Sequence, residues 1–284
     1  ESSTLRPEVL VMHGRRILTE AEQGKVPNNT ASQGPYRTAI ESFNRAIALA
    51  PHHPRAAPQA AFFIGRALRQ SGKTTAARDQ FTTAATRHYD TPEGILSGLE
   101  AAEVMLDLDQ PEAAQQSLVQ TIRRAGPPAQ YANRWVSLDE LRERIEAINT
   151  RLLAAHRYDL AVQLCFALPP MLPEDRALQL RAIAHEQWAQ HLAHQAEQTP
   201  AGERGALRSR SRRHFRQAGV DCARLARLHY TQRRYPNDLW QSGRNFARGR
   251  DFQSAITLLR AYLDSEADNQ RPLVMVTLGQ ALLS

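Results

Sequence analysis

The chain has 284 residues and a formal net charge of +7 at pH 7, with 42% hydrophobic and 23% charged residues. This composition excludes an intrinsically disordered chain. No apolar run reaches the roughly 20 residues that a transmembrane helix needs. Two cysteines are too few for the disulfide framework of a small secreted domain. Residue types that favour helices dominate the sequence, so we expect an all-α fold with little or no sheet.

The N-terminal segment predicts one helix followed by a loop. Leu10, Gly14 and Ile17 are spaced as on one face of a helix. The stretch that follows is rich in Asn, Ser, Pro and Gly, and this composition predicts a loop over residues 24–35.

The clearest helical phrase comes next and ends at Pro51. Ala39, Phe43, Ala46 and Leu49 recur at helical spacing, and Pro51 stops the helix. The phrase resembles the second helix of a tetratricopeptide repeat. In that family a small residue lets two helices approach, and a large residue four positions later fills the gap between helix pairs.

The phrase recurs along the chain. Comparable alanines follow the first one at Ala77, Ala114, Ala161, Ala218 and Ala255. The residues four positions after these alanines are Phe81, Leu118, Cys165, Cys222 and Leu259. The six alanines are separated by 38, 37, 47, 57 and 37 residues, against about 34 in the family's unit. We therefore expect lengthened repeats, with all six alanines buried at helix contacts.

The first helix of each pair has a signal of its own. A small or compact residue stands twelve positions before the alanine in four repeats, at Gly65, Ala102, Asn149 and Gly243. The fifth repeat departs from this pattern: a long helix near 174–197 precedes a stretch rich in Gly and Pro, which predicts a second loop over 198–207.

The resemblance implies a right-handed α-solenoid of antiparallel helix pairs, about six and a half repeats long, forming one domain over residues 1–284. A seventh repeat opens at Met275 without a second helix, and the chain starts at Glu1 without Met. We therefore expect a fragment of a longer protein. The compartment stays open between the bacterial cytoplasm and the envelope or periplasm.

In this family, first helices line a concave groove in which peptides usually dock. The residues that map to the groove are Arg15, Phe62, Arg66, Arg69, Trp240, Arg244 and Arg248. Their guanidinium groups predict a surface for an acidic peptide, unless they are ordinary solvated side chains. Val11 and Arg15 stand where the co-chaperones of the family have the Lys and Asn of a carboxylate clamp. That chaperone-binding activity is therefore not expected here.

A second basic region covers residues 204–250, with thirteen Arg and two acids, a local net charge of +11. Its densest part comprises Arg204, Arg208, Arg210, Arg212, Arg213 and Arg216. Such a surface could bind an acidic protein, a nucleic-acid backbone or an anionic surface. A solvated helix face is the structural alternative. Arginine also outnumbers lysine 34 to 2. A bacterial genome of high GC content is one explanation for this bias, and selection for anion contacts is the other.

No constellation predicts catalysis, a cofactor or a metal. His185, His191 and His194 share one helix, and His191 and His194 can face the same way, but no third ligand stands at a telling spacing from that pair. Cys165 and Cys222 fall at core positions of second helices. Phosphate-binding loops, nucleophile elbows and dinucleotide fingerprints are missing from the sequence.

The leading hypothesis is therefore a non-catalytic scaffold that binds an unknown protein or peptide in its groove, and an acidic partner is one possibility. Two alternatives remain open. One is a binder of nucleic acid or another anionic polymer through residues 204–250. The other is the helical part of a larger enzyme.

Overall fold

A computed structural model describes residues 6–23, 34–169, 171–265 and 269–284. Within these ranges the chain forms thirteen α-helices and no strand. The helices are α1 Pro7–Glu22, α2 Gly34–Leu49, α3 Ala56–Gln70, α4 Thr74–Arg87, α5 Pro92–Asp107, α6 Pro111–Ala125, α7 Leu138–Ala154, α8 Tyr158–Ala167, α9 Glu174–Gln198, α10 Ala201–Leu228, α11 Tyr235–Arg248, α12 Phe252–Leu263 and α13 Arg271–Leu282. None of these helices combines the length and the hydrophobicity required to span a membrane.

The chain divides into two compact units, Glu1–Ile148 and Asn149–Ser284. In the first unit consecutive helices from α1 to α6 pack on each other, and α1, α3 and α5 also contact one another in turn. In the second unit consecutive helices pack from α8 to α13, and α11 also contacts α13. The single domain over 1–284 stays a prediction.

Four of the turns inside helix pairs are closed in the same way. The residue with positive φ is Gly72, Asp109, His156 or Arg250, with φ between 55° and 77°. The amide of the next residue donates to a carbonyl five positions earlier, as from Lys73 to Leu68 at 2.9 Å. This left-handed closure satisfies carbonyls at the end of the first helix and reverses the chain. Helices joined in this way run antiparallel.

Small residues let the two helices of a pair come close. A Cβ added at Gly65 would lie 2.5 Å from the ring of Phe81, and one added at Gly243 would lie 2.6 Å from Leu259. Glycine is required at such positions because the large side chain of the facing helix occupies the space of a Cβ. At Gly279, by contrast, no described atom lies within 4 Å of the added Cβ.

The predicted fold class is confirmed. The described residues hold six antiparallel helix pairs followed by α13, and the pairs pack through the small and large residues that the tetratricopeptide resemblance singled out. The six predicted contact alanines are all 0% exposed: Ala39, Ala77, Ala114, Ala161, Ala218 and Ala255.

The predicted loop over 198–207 is wrong. Helix α9 continues to Gln198 and α10 already begins at Ala201, so only two residues separate them. Pro200 starts the new helix, since its carbonyl accepts hydrogen bonds from the amides of Glu203 and Arg204, both at 3.2 Å. Proline is compatible with a helix start because the amides there lack helical partners in any case.

The predicted loop over 24–35 lies mostly outside the described residues, which resume at Gly34. Gly34 and Pro35 belong to α2, so this end of the prediction is wrong. Proline is tolerated in a first helical turn for the same reason as above.

Replacing Ala77 with Leu should lower the free energy of unfolding by about 1–3 kcal/mol, because the added atoms overpack a fully buried helix contact. The matched control is Ala76→Leu, since Ala76 is exposed on the same helix. Urea unfolding of both variants measures the difference. Equal stabilities for the two variants would contradict the packing described here.

Candidate functional site

The first unit contains a groove with a cavity of about 380 Å³. Four residues of the predicted groove set line it: Arg15, Phe62, Arg66 and Arg69. They lie on α1 and α3, and α5 and α7 contribute Glu100 and Arg144 to the same cavity. First helices therefore form this lining, as the repeat pattern implied.

Phe62 does not present its ring to a ligand, contrary to the groove prediction. Its residue is 3% exposed, and its ring centroid lies 5.1 Å from that of Phe63 and 5.9 Å from that of Phe81. Burial against two other aromatic rings is more favourable than exposure to water. Phe62 therefore belongs to the core beneath the groove.

The arginines at this groove are largely neutralised within the unit. Arg66 pairs with Glu22 at 2.6 Å. Arg69 and Arg144 share a network with three carboxylates at 2.7–3.2 Å, namely Glu100, Glu103 and Asp107. Three guanidinium groups thus face four carboxylates. This part of the groove has no excess positive charge to attract an acidic peptide.

Arg15 is held differently. Its guanidinium carbon lies 5.0 Å from the ring centroids of both Phe63 and Trp135, a geometry that favours cation–π attraction. The indole of Trp135 is fixed in turn, because its Nε1 donates to Oε1 of Glu93 at 2.8 Å. Arg15 forms no ion pair with any residue that the structure describes.

The second unit contains a larger cavity, of about 770 Å³. It is lined by Trp240, Arg244 and Arg248 of the predicted set, by Arg250 and Phe252 after them, and by residues of α13. We call this the α11–α13 pocket. Trp240 lines the pocket as a largely buried residue, at 6% exposure. Its side chain belongs to the core cluster that also contains Leu239, Phe246 and Leu259.

The charges of the α11–α13 pocket are unbalanced. Arg244 and Arg248 share a single carboxylate, that of Glu186, at 2.7 and 3.2 Å. Arg250 is exposed and has no acidic partner among the described residues. The pocket is thus lined by three arginines and by no Asp or Glu, and the only described carboxylate that pairs with any of the three is that of Glu186. This distinguishes the pocket from the neutralised groove of the first unit.

The Arg-rich run lies on the first half of α10. Arg204 donates to the backbone carbonyl of Thr199 at 3.1 and 3.3 Å. The remaining five have no ion-pair partner in the described part of the chain: Arg208, Arg210, Arg212, Arg213 and Arg216. Arg212 is half-buried, and the other four are exposed.

The three histidines considered for zinc do not converge. His194 is exposed and lies 3.8 Å from Glu197. His191 stacks on His156, with ring centroids 4.8 Å apart. His185 instead pairs with His214 of α10, and the two Nδ1 atoms are 3.1 Å apart. Within the described ranges no three His, Cys, Asp or Glu side chains are grouped as metal ligands.

The His185–His214 pair was missed in the sequence because its partners are 29 residues apart. Burial lowers the pKa of His185 to about 4, and the charge of Arg181 acts in the same direction. Burial also lowers the pKa of His214 to about 4, helped by the charges of His185, Arg210 and Arg213. Both imidazoles are neutral at pH 7, and one Nδ1–H donates to the other Nδ1.

Both cysteines lie in the core, as predicted, at 2% and 7% exposure. Burial raises the pKa of Cys165 and of Cys222 to about 12, so neither thiol ionises at neutral pH to act as a nucleophile. The Sγ of Cys165 donates to Oδ1 of Asn149 at 3.9 Å. Asn149 lies twelve positions before Ala161 and Cys165 four positions after it, so this contact corresponds to that of Gly65 with Phe81 in the second pair.

The chain matches no profile of a known protein family and no curated protein sequence. Among solved structures it is similar to a TPR repeats protein from Bacteroides fragilis, with 14% identity, 99% of each chain covered and a TM-score of 0.41. It is also similar to the C-terminal part of a TPR repeat-containing protein from Cytophaga hutchinsonii, with 14% identity, 97% and 89% covered and a TM-score of 0.40. The TPR2AB domain of yeast Sti1 in its complex with pHSP90 aligns at 12% identity, with 95% and 98% covered and a TM-score of 0.31. These superpositions are loose, and the fold is established by the helix packing of the chain itself.

Replacing His214 with Gln should make the fold less sensitive to acid. The folded pKa of each histidine lies below the unfolded value of about 6.5. Their stabilising contribution is therefore present above pH 6.5 and lost as the pH falls towards 4. Melting temperatures between pH 7 and pH 4 should fall more steeply for the wild type than for His214→Gln. Exposed His52 gives the control, His52→Gln. Parallel curves for all three proteins would contradict this prediction.

Proposed function

We propose that this chain is a non-catalytic scaffold that binds an acidic protein segment in the α11–α13 pocket. The observation that carries the proposal is the charge surplus there: Arg244, Arg248 and Arg250 line the pocket, and the only described carboxylate partner among them is Glu186, which Arg244 and Arg248 share. Carboxylates of a partner would complete the ion pairing, and Arg can make bidentate contacts with them.

The apolar part of the pocket supports a protein partner. Trp240, Ala247, Phe252 and Ala281 line it beside the arginines. A protein segment with one apolar side chain among its acids would fill this space while its carboxylates meet the guanidinium groups. Interfaces of this kind combine a desolvated apolar centre with a polar rim.

The groove of the first unit is a weaker candidate for the same ligand. Its paired arginines already face four carboxylates of the unit, so a bound acidic segment would have to displace them. Such an exchange gains little, because each new ion pair replaces an existing one.

Arg250→Gly should weaken binding of an acidic peptide about five- to tenfold, the effect of losing one charge-assisted hydrogen bond. Glycine suits the φ of 56° at this position, so the fold is retained. The probe is a fluorescein-labelled peptide of Glu residues around one Phe, titrated by fluorescence anisotropy. A peptide with Gln for every Glu should bind at least tenfold more weakly.

The matched control is Asp109→Gly, which makes the same backbone change in the turn between α5 and α6, where φ is 55°. It should leave peptide binding unchanged. The proposal fails if Arg250→Gly binds the acidic peptide as tightly as the wild type, or if the Gln peptide binds equally well.

A further inference from the structure

The first half of α10 carries a surface that the proposed function does not use. Its five unpaired arginines form what we call the arginine face: Arg208, Arg210, Arg212, Arg213 and Arg216. Residues 201–217 contain a single acid, Glu203. We propose that the arginine face binds the phosphate backbone of a nucleic acid, independently of sequence.

The first argument is charge complementarity. In the groove of the first unit, carboxylates from neighbouring helices neutralise the arginines. On the arginine face no described carboxylate does so, although α9 and α11 pack against the same helix. Like charges left this close repel one another, and an external anion relieves that repulsion.

The second argument concerns the kind of anion. A protein partner needs an apolar centre in its interface, and an anionic membrane surface is bound through apolar side chains as well as charge. From Arg204 to Gln217 no described large apolar residue is exposed, and the first one on this helix is Val220, one turn after Arg216. A phosphate backbone requires neither feature, since contacts to it are charged and polar.

The third argument is geometric. Arg208, Arg212 and Arg216 follow one another at four-residue spacing and so form one ridge, about 12 Å long at 1.5 Å per residue. One strand of a duplex presents three to four phosphates over about that length, at roughly 3.4 Å along the axis. At about 100° per residue, Arg213 lies roughly 100° round the helix from the middle of this ridge and can reach a further phosphate, whereas Arg210 lies roughly 160° away from it.

The arginine face lies next to the α11–α13 pocket. A Cβ added at Gly249 would lie 2.6 Å from Cγ of Arg216 and 3.1 Å from the carbonyl oxygen of Arg212. The two surfaces are therefore adjacent, but they consist of different residues. Variants of one can leave the other intact, which allows the two proposals to fail separately.

The test uses the whole chain and a fluorescein-labelled 20-base-pair DNA duplex of arbitrary sequence, titrated by anisotropy between 50 and 200 mM NaCl. Four phosphate contacts predict a slope of about −3.6 in a plot of log affinity against log salt concentration, and roughly a 150-fold loss of affinity over this range. The triple variant Arg208→Gln, Arg212→Gln and Arg216→Gln should flatten the slope by about 3.

The matched control removes three positive charges elsewhere, by Arg45→Gln, Arg87→Gln and Arg123→Gln, all at exposed positions. Its slope should equal that of the wild type, and so should that of Arg250→Gly. An equal loss in both triple variants would overturn the proposal, because net charge alone would then explain the binding. So would tighter binding, at equal salt, to poly-glutamate or to phosphatidylserine vesicles than to the duplex.

Discussion

The fold depends on the close approach of two helices at a small residue, where a large side chain from the facing helix occupies the missing volume. The ring of Phe81 above Gly65 and the side chain of Leu259 above Gly243 are the clearest cases. In the first unit this contact also fixes the spacing of the first helices, so that side chains on α1, α3 and α5 meet at one surface. The charge pattern of the groove is thus a consequence of core packing.

Most of the fold could be predicted because its signal is local. A small residue, an alanine twelve positions later and a large residue after four more are all contained in one pair, and such a pattern can be read without knowing any distant contact. The stretch at 198–207 was misread for the opposite reason. A Cβ added at Gly202 or Gly205 would meet no described atom outside the helix's own backbone, so these glycines mark neither a turn nor a close contact, and Pro200 precedes the first residue of a helix.

The candidate site was less predictable, since its properties arise between residues far apart in sequence. The positions of Arg66 and Arg244 follow from helix phase, but their ion pairs are with Glu22, 44 residues away, and Glu186, 58 residues away. Spacing along the chain contains no such information. The same holds for Trp240, whose burial depends on how neighbouring helices cover it.

The turns inside the helix pairs connect stability with recognition. Three of the four residues with positive φ are not glycine, although a side chain there is disfavoured. A designer seeking a more heat-resistant consensus repeat would write glycine at Asp109, His156 and Arg250. At two of these positions glycine would remove a functional group. His156 would lose the imidazole that stacks on His191, and Arg250 would lose the guanidinium that lines the pocket. An idealised version of this chain would therefore be the more robust protein, but it would lack the guanidinium on which the proposed binding depends.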